Sequence, residues 1–170
     1  MNRGILLDLT AIVASGLAFW PIAATGQQRS LKEQLVGTWI YVSSTATTLD
    51  GRKTERPNLK GAVIYTSDGH FSFITTRTDV PKLASNDSAK PTSEEALAVA
   101  TGSIAYFGTY TVDEIDKVII PNVEMATFPN LIGAPNQKRI VTFLTTDELR
   151  FTNPRTPAGV TLEFVWRRAK

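Results

Sequence analysis

Leu35-Val36-Gly37-Thr38-Trp39-Ile40-Tyr41-Val42 is the stretch whose reading decides the fold. Threonine, isoleucine and valine favour a pleated strand, and glycine lets a neighbouring backbone approach closely. The indole of Trp39 is the largest apolar anchor in the run. From Gly37 onward the pattern has period two and puts Trp39, Tyr41 and Ser43 on one face. The chain therefore opens its patterned part with a β-strand that must bury one heavy face.

Working outward, a second strand runs from Gly61 to Thr66 and ends in the turn Ser67-Asp68-Gly69. The third begins at His70, with Phe71, Phe73 and Thr75 on one face and His70, Ser72 and Ile74 on the other. Five more follow, over Tyr106 to Val112, Val118 to Met125, Gln137 to Leu144, Glu148 to Thr152 and Val160 to Arg167. Most connections are short and polar, as in Asp113-Glu114-Ile115-Asp116 and Thr145-Thr146-Asp147. The expectation is an all-β chain, an eight-stranded up-and-down antiparallel barrel, with an open sandwich as the alternative. Parity along Leu162, Phe164 and Trp166 makes Arg168, rather than Arg167, the cation expected over Trp39.

One segment breaks the strand rhythm. Arg77 to Ser103 contains Pro81, Pro91 and a polar stretch from Ser85 to Lys90. Thr92-Ser93-Glu94-Glu95 has capping-box spacing, so a short helix is expected over Glu94 to Ala100, stopping at Gly102. Two roles are open for it. It covers the mouth of the barrel with Leu97 and Val99, or it is a surface excursion. Arg29 to Gln34 is polar and suits one helical turn before the first strand.

Composition narrows the classes. The 170 residues suit one domain with a sizeable core, and 42% hydrophobic with 20% charged residues is ordinary for a globular chain. A net charge of +2 supplies little long-range field for nucleic acid, despite a pI near 9.0. The absence of cysteine removes disulfides, thiol catalysis and thiolate metal sites together. At the start, Arg3, the apolar run from Leu9 to Trp20 and Ala23-Ala24-Thr25-Gly26 have the parts of a secretory signal. The expected division is residues 1–26 as signal and residues 27–170 as barrel, with a periplasmic or secreted product. A buried N-terminal helix is the alternative. With Asp8 and Pro21 bounding it, the run falls short of the roughly 20 apolar residues of a stable membrane span.

The segments Leu35-Val36-Gly37-Thr38-Trp39, Tyr65-Thr66-Ser67-Asp68-Gly69 and Ala105-Tyr106-Phe107-Gly108-Thr109-Tyr110 come in a telling order. After them come Val123-Glu124, Phe128-Pro129-Asn130, Gln137-Lys138-Arg139 and Val165-Trp166. In that order and spacing the chain resembles the small bacterial and fungal lipocalin-like domain family, from Leu35 to Arg168. The resemblance implies a barrel plugged at one end by the tryptophan and built to hold a small molecule. Where it would place histidines before Val123-Glu124, this chain has Pro121 and Asn122, so a function resting on those imidazoles is not carried over.

Few residues can carry chemistry. His70 is the single histidine, and its strand face points to solvent, which leaves no nitrogen or sulfur metal site and no resident cofactor to expect. Asp113, Glu114 and Asp116 lack the spacing of a calcium loop and read as a solvated turn. No phosphate loop or nucleophile elbow is present. The polar groups on apolar faces are more informative. If Val141 and Phe143 face the core, Arg139 enters the barrel with them. A buried guanidinium needs a carboxylate, supplied by Glu124 as a structural brace, by a ligand, or by Glu124 as a catalytic group. Tyr41, Tyr65, Phe73, Tyr106 and Tyr110 are the candidate lining residues beside Glu124 and Arg139. Asn86-Asp87-Ser88 is a glycosylation acceptor pattern if the source is eukaryotic.

Three functions compete on this reading. The first is an exported barrel that binds a small apolar or amphipathic molecule. The second is a cofactor-independent isomerase or cyclase using the same pocket. The third is a packed barrel acting through its surface.

Overall fold

The computed structural model describes residues 29–135, 137–156 and 159–170, so the expectations for the leader lie outside the described residues. Nine strands form one sheet: β1 Gly37–Thr47, β2 Lys53–Glu55, β3 Leu59–Tyr65, β4 His70–Arg77, β5 Ser103–Asp113, β6 Val118–Ala126, β7 Arg139–Leu144, β8 Glu148–Asn153 and β9 Thr161–Arg168. Their order is β2-β1-β3-β4-β5-β6-β7-β8-β9, and β1 also pairs with β9. That last pairing closes the sheet, so the barrel holds and the open sandwich falls. β2 is a three-residue ribbon hung on Thr45–Thr47 of β1, outside the ring of eight. Its residues, Lys53-Thr54-Glu55, are all exposed and gave no apolar signal.

The end near the chain's start is sealed. Helix α1, Leu31–Leu35, is capped by Ser30, whose side chain accepts from the Glu33 N–H while the Glu33 carboxylate accepts from the Ser30 N–H. Its buried Leu31 and Leu35 plug the barrel from below. Glu114, in the β5–β6 turn, accepts from the N–H groups of Leu31 at 2.7 Å and Lys32 at 3.0 Å. That carboxylate fastens the first turn of α1, where a negative charge is favoured, and is no mere solvated turn residue. Trp39 is fully buried above the plug and donates its indole N–H to Leu35 O at 2.8 Å. The guanidinium of Arg168 lies 4.0 Å over the indole ring, the arginine that parity selects. It also donates to Val36 O at 2.8 Å and Gln34 O at 2.7 Å, so one side chain ties β9 to the end of α1.

Away from that end the wall parts along two seams. β1 and β3 pair only through Gly37–Ile40 against Tyr65–Ala62. β6 and β7 pair only at Val118↔Ile140 and Ile119↔Arg139. Four strands separate the seams on either side, so they lie opposite one another. Pro121 accounts for the second. Lys117 O accepts from Val141 and Val123 O accepts from Gly133, so alternate residues of β6, Pro121 among them, aim their backbone groups toward β7. Proline has no N–H to offer there, and it is tolerated where a ladder has already ended.

The loop between β4 and β5 carries α2, Ser93–Gly102, capped by Thr92 and Glu95 as the spacing predicted. The second carboxylate oxygen of Glu95 accepts from Ala84 N–H at 2.8 Å and pins the loop to the helix. Gly102 is the only buried residue of α2, while Leu97 is 64% and Val99 41% exposed. Neither closes over the barrel here. Leu97→Ser and Val99→Ser are therefore expected to change unfolding free energy by no more than about 0.5 kcal/mol in urea titrations. A larger loss would show that these side chains reach an apolar partner.

Candidate functional site

The interior is built from residues of the eight strands of the ring and is dominated by aromatic rings. Phe73 stacks on Tyr106 with ring centres 4.6 Å apart, and meets Phe164 and Trp166 edge-on at 6.0 and 5.6 Å. Tyr65 packs against Tyr110 at 5.0 Å and Phe71 at 6.3 Å. Into this apolar volume β7 sends Arg139, which is only 8% exposed. It donates to the Tyr106 hydroxyl at 3.3 Å and to Lys138 O at 3.1 Å. No carboxylate among the described residues pairs with it.

Glu124 does not meet Arg139. It faces outward by plain alternation with the buried Ile119, Pro121 and Val123. As the extra residue where the β5–β6 register slips between Phe107 and Gly108, it leaves Met125 facing outward too. Its carboxylate accepts from Thr109 Oγ1 at 3.2 Å and Asn122 Nδ2 at 3.4 Å on the outer wall. A second bulge, between Val141 and Phe143 of β7, corrects the expectation that Phe143 shares the core face with Arg139. Phe143 is outside and 45% exposed, under the guanidinium of Arg150 at 5.2 Å.

The tyrosines separate by role. Tyr110 donates its hydroxyl to Thr66 O at 3.0 Å near the sealed end. Tyr41 donates to Arg56 O at 3.1 Å across the β1–β3 seam and shares a bond with Ser44 at 2.9 Å. Tyr65 and Tyr106 belong with Arg139. Burial raises the Tyr65 hydroxyl well above the ordinary tyrosine range, the positive charge of Arg139 opposing that rise, so it is a neutral donor at any physiological pH. Phe73, Tyr65, Tyr106 and Arg139 thus come together inside the barrel, while Tyr41, Tyr110 and Glu124 are engaged elsewhere.

Two interior polar atoms went unnoticed at the level of sequence. Asn153 Oδ1 and Trp166 Nε1 are buried and have no hydrogen-bond partner among the described residues. Parity along Leu149, Phe151 and Asn153 would have pointed to the first. Such atoms are unusual in a folded interior and call for a guest or a water.

A hollow lies at each seam. Between β6 and the segment before β7 lies a hollow of about 380 Å³, bounded by Ile120, Pro121, Asn122 and Val123 of β6 and by Gly133, Gln137 and Lys138. Gln137 is held there by its bond to Leu131 O at 2.8 Å, and Leu131 inserts into the core. The hollow at the opposite seam is smaller, about 210 Å³, and is bounded largely by the polar β1 and β2–β3 residues around Arg56.

His70 lies on the outer wall, stacked 5.7 Å from Phe107 and 3.1 Å from Asp68. Hydrogen bonds from Thr66 and then from His70 hold the Asp68 carboxyl at about 2, below its ordinary 3.8. The shift is downward, so its stabilisation of the turn is complete above 3.8 and is lost as pH falls through about 2. A titration of the Asp68 side chain by NMR is expected to give a midpoint near 2, and a midpoint near 3.8 would mean that the turn bonds do not form in solution.

The family model of the lipocalin-like domain matches residues 36–168, nearly the whole described chain. No curated protein matches. Among solved structures, a redesigned β-barrel is 18% identical with a TM-score of 0.42, covering 83% of this chain and 96% of its own. A de novo designed fluorescence-activating β-barrel is 11% identical with a TM-score of 0.39, covering 84% and 100%. Both likenesses are too distant to carry an argument.

Proposed function

We propose, since the chain belongs to the lipocalin-like domain family, that it binds a small apolar or amphipathic molecule inside the barrel. The observation that carries this reading is the β6–β7 seam. There the wall parts beside a hollow of about 380 Å³ between β6 and the segment before β7. Its size falls in the range of roughly 300–1,000 Å³ common to small-molecule sites. The aromatic interior offers apolar contact, and the unpartnered Asn153 Oδ1 and Trp166 Nε1 offer one acceptor and one donor. The isomerase or cyclase alternative loses its carboxylate, because Glu124 faces outward.

Protein purified from its own source is expected to carry a co-purifying mass in native mass spectrometry that disappears on denaturation. A saturating ligand, at about a hundred times its Kd, would raise the melting temperature by about 5–10 °C. A bare chain that also takes up no apolar fluorescent probe would end the reading.

We propose export as well, supported by Arg3, the Leu9–Trp20 run and the small residues that follow. N-terminal sequencing of the exported protein is expected to begin near Thr25 or Gln27. A mature chain that keeps Met1 would overturn it.

A further inference from the structure

Arg139 is the one group in the barrel whose charge the described residues leave unanswered. It is 92% buried by its 8% exposure, yet its bonds are to a neutral hydroxyl and a backbone carbonyl. A guanidinium carries five N–H donors in a planar fork, and those two bonds leave the greater part of the fork without a protein acceptor. An uncompensated buried charge is costly, so the site is built for an anion.

Resting on the binding reading above, we infer that Arg139 receives the carboxylate of a monoanionic, otherwise apolar ligand. Charge decides for a monoanion. One positive group faces the interior, and a phosphate dianion would leave a second charge buried without a partner. Geometry decides for a carboxylate, whose two oxygens match two parallel N–H groups of the fork. The hydroxyls around it complete the receptor. Tyr106 accepts from Arg139, so its own proton is free to donate. Burial keeps the Tyr65 hydroxyl protonated and therefore a donor.

Placement supports the same ligand. Arg139 sits on the last paired rung of the β6–β7 seam, opposite Ile119, and next to Lys138 and Gln137 at the hollow's edge. The exposed ammonium of Lys138 adds positive charge where an anion would arrive. Tyr106, which accepts from Arg139, is stacked on Phe73 at 4.6 Å, so the surroundings of the guanidinium are aromatic and apolar.

The test is competition against an apolar fluorescent probe, using dodecanoic acid, its methyl ester, dodecanol and dodecyl phosphate at neutral pH. The acid is expected to bind about ten- to a hundredfold more tightly than the ester and the alcohol, the worth of a charge-assisted pair. Arg139→Gln should abolish that preference, bringing the acid down to the affinity of the ester and the alcohol, and Arg139→Lys should retain part of it. The comparison on the unaltered protein needs no variant, so a misfolded Arg139→Gln would not blur the outcome. Equal affinity for acid and alcohol, or a preference for the phosphate, overturns the carboxylate receptor and leaves the binding barrel standing. Failure of all four to displace or bind overturns both.

Discussion

Trp39→Ala is expected to lower the unfolding free energy by about 3–5 kcal/mol. The ring is fully buried, and its removal would leave a cavity between the α1 plug and the barrel interior. The effect does not stop at volume. Leu35 O would lose the indole N–H that it accepts at 2.8 Å, and Arg168 would lose the face it covers at 4.0 Å. Arg168 also holds Val36 O and Gln34 O, so its displacement would loosen the link between α1 and β9. Urea unfolding followed by circular dichroism reads the loss. A variant within about 1 kcal/mol of the parent would mean that the sealed end does not contribute to global stability.

The same end shows why so much of the fold could be read from residues alone. Period-two alternation is a local property, and over Gly37–Tyr41 and from His70 and Thr161 onward it tells in from out without any knowledge of neighbours. The β1 bulge after Tyr41, by contrast, exposes Ser43, expected beside Trp39 and Tyr41, and buries Ser44 instead. Arg168 over Trp39 followed from parity on two strands. The failures share one cause. Bulges after Tyr41, at Glu124 and after Val141 each insert a residue and reverse the parity beyond it, which sent Ser43, Met125 and Phe143 outward. Glu124 is the exception, which plain alternation along β6 already placed outside. Nothing in those stretches announces a bulge, because the extra residue is fixed by the partner strand. Leu131 was missed for a related reason. It reaches the core from a 3-10 turn over Pro129–Leu131, whose place depends on how β6 and β7 part. At the site, burial of Arg139 was legible and its partner was not. Whether a guanidinium meets a carboxylate depends on two strands at once.

Gly108→Ala carries the second large effect, expected to reach about 3 kcal/mol and to show as a loss of soluble barrel at elevated temperature. Gly108 sits between Tyr106 and Tyr110 on the inner face of β5, directly at the slipped register with β6. A Cβ there would lie 1.9 Å from Asn122 O and 3.1 Å from Glu124 N, both backbone atoms. No rotamer relieves that contact, since a methyl has none and the obstacle is main chain. The β5–β6 pair would have to separate, and this is the most extensively paired wall opposite β1–β9. A contrast makes the argument testable. At Gly51 and Gly133 nothing lies within 4 Å of an added Cβ, and the only penalty is their positive φ of 84° and 63°. Gly133→Ala is therefore expected to cost about 1 kcal/mol through backbone strain alone. If melting temperatures of Gly108→Ala and Gly133→Ala proved equal, close approach at the bulge would not be what the glycine is for. If the first melts well below the second, the close approach of β5 and β6 at the slipped register depends on the missing side chain at Gly108.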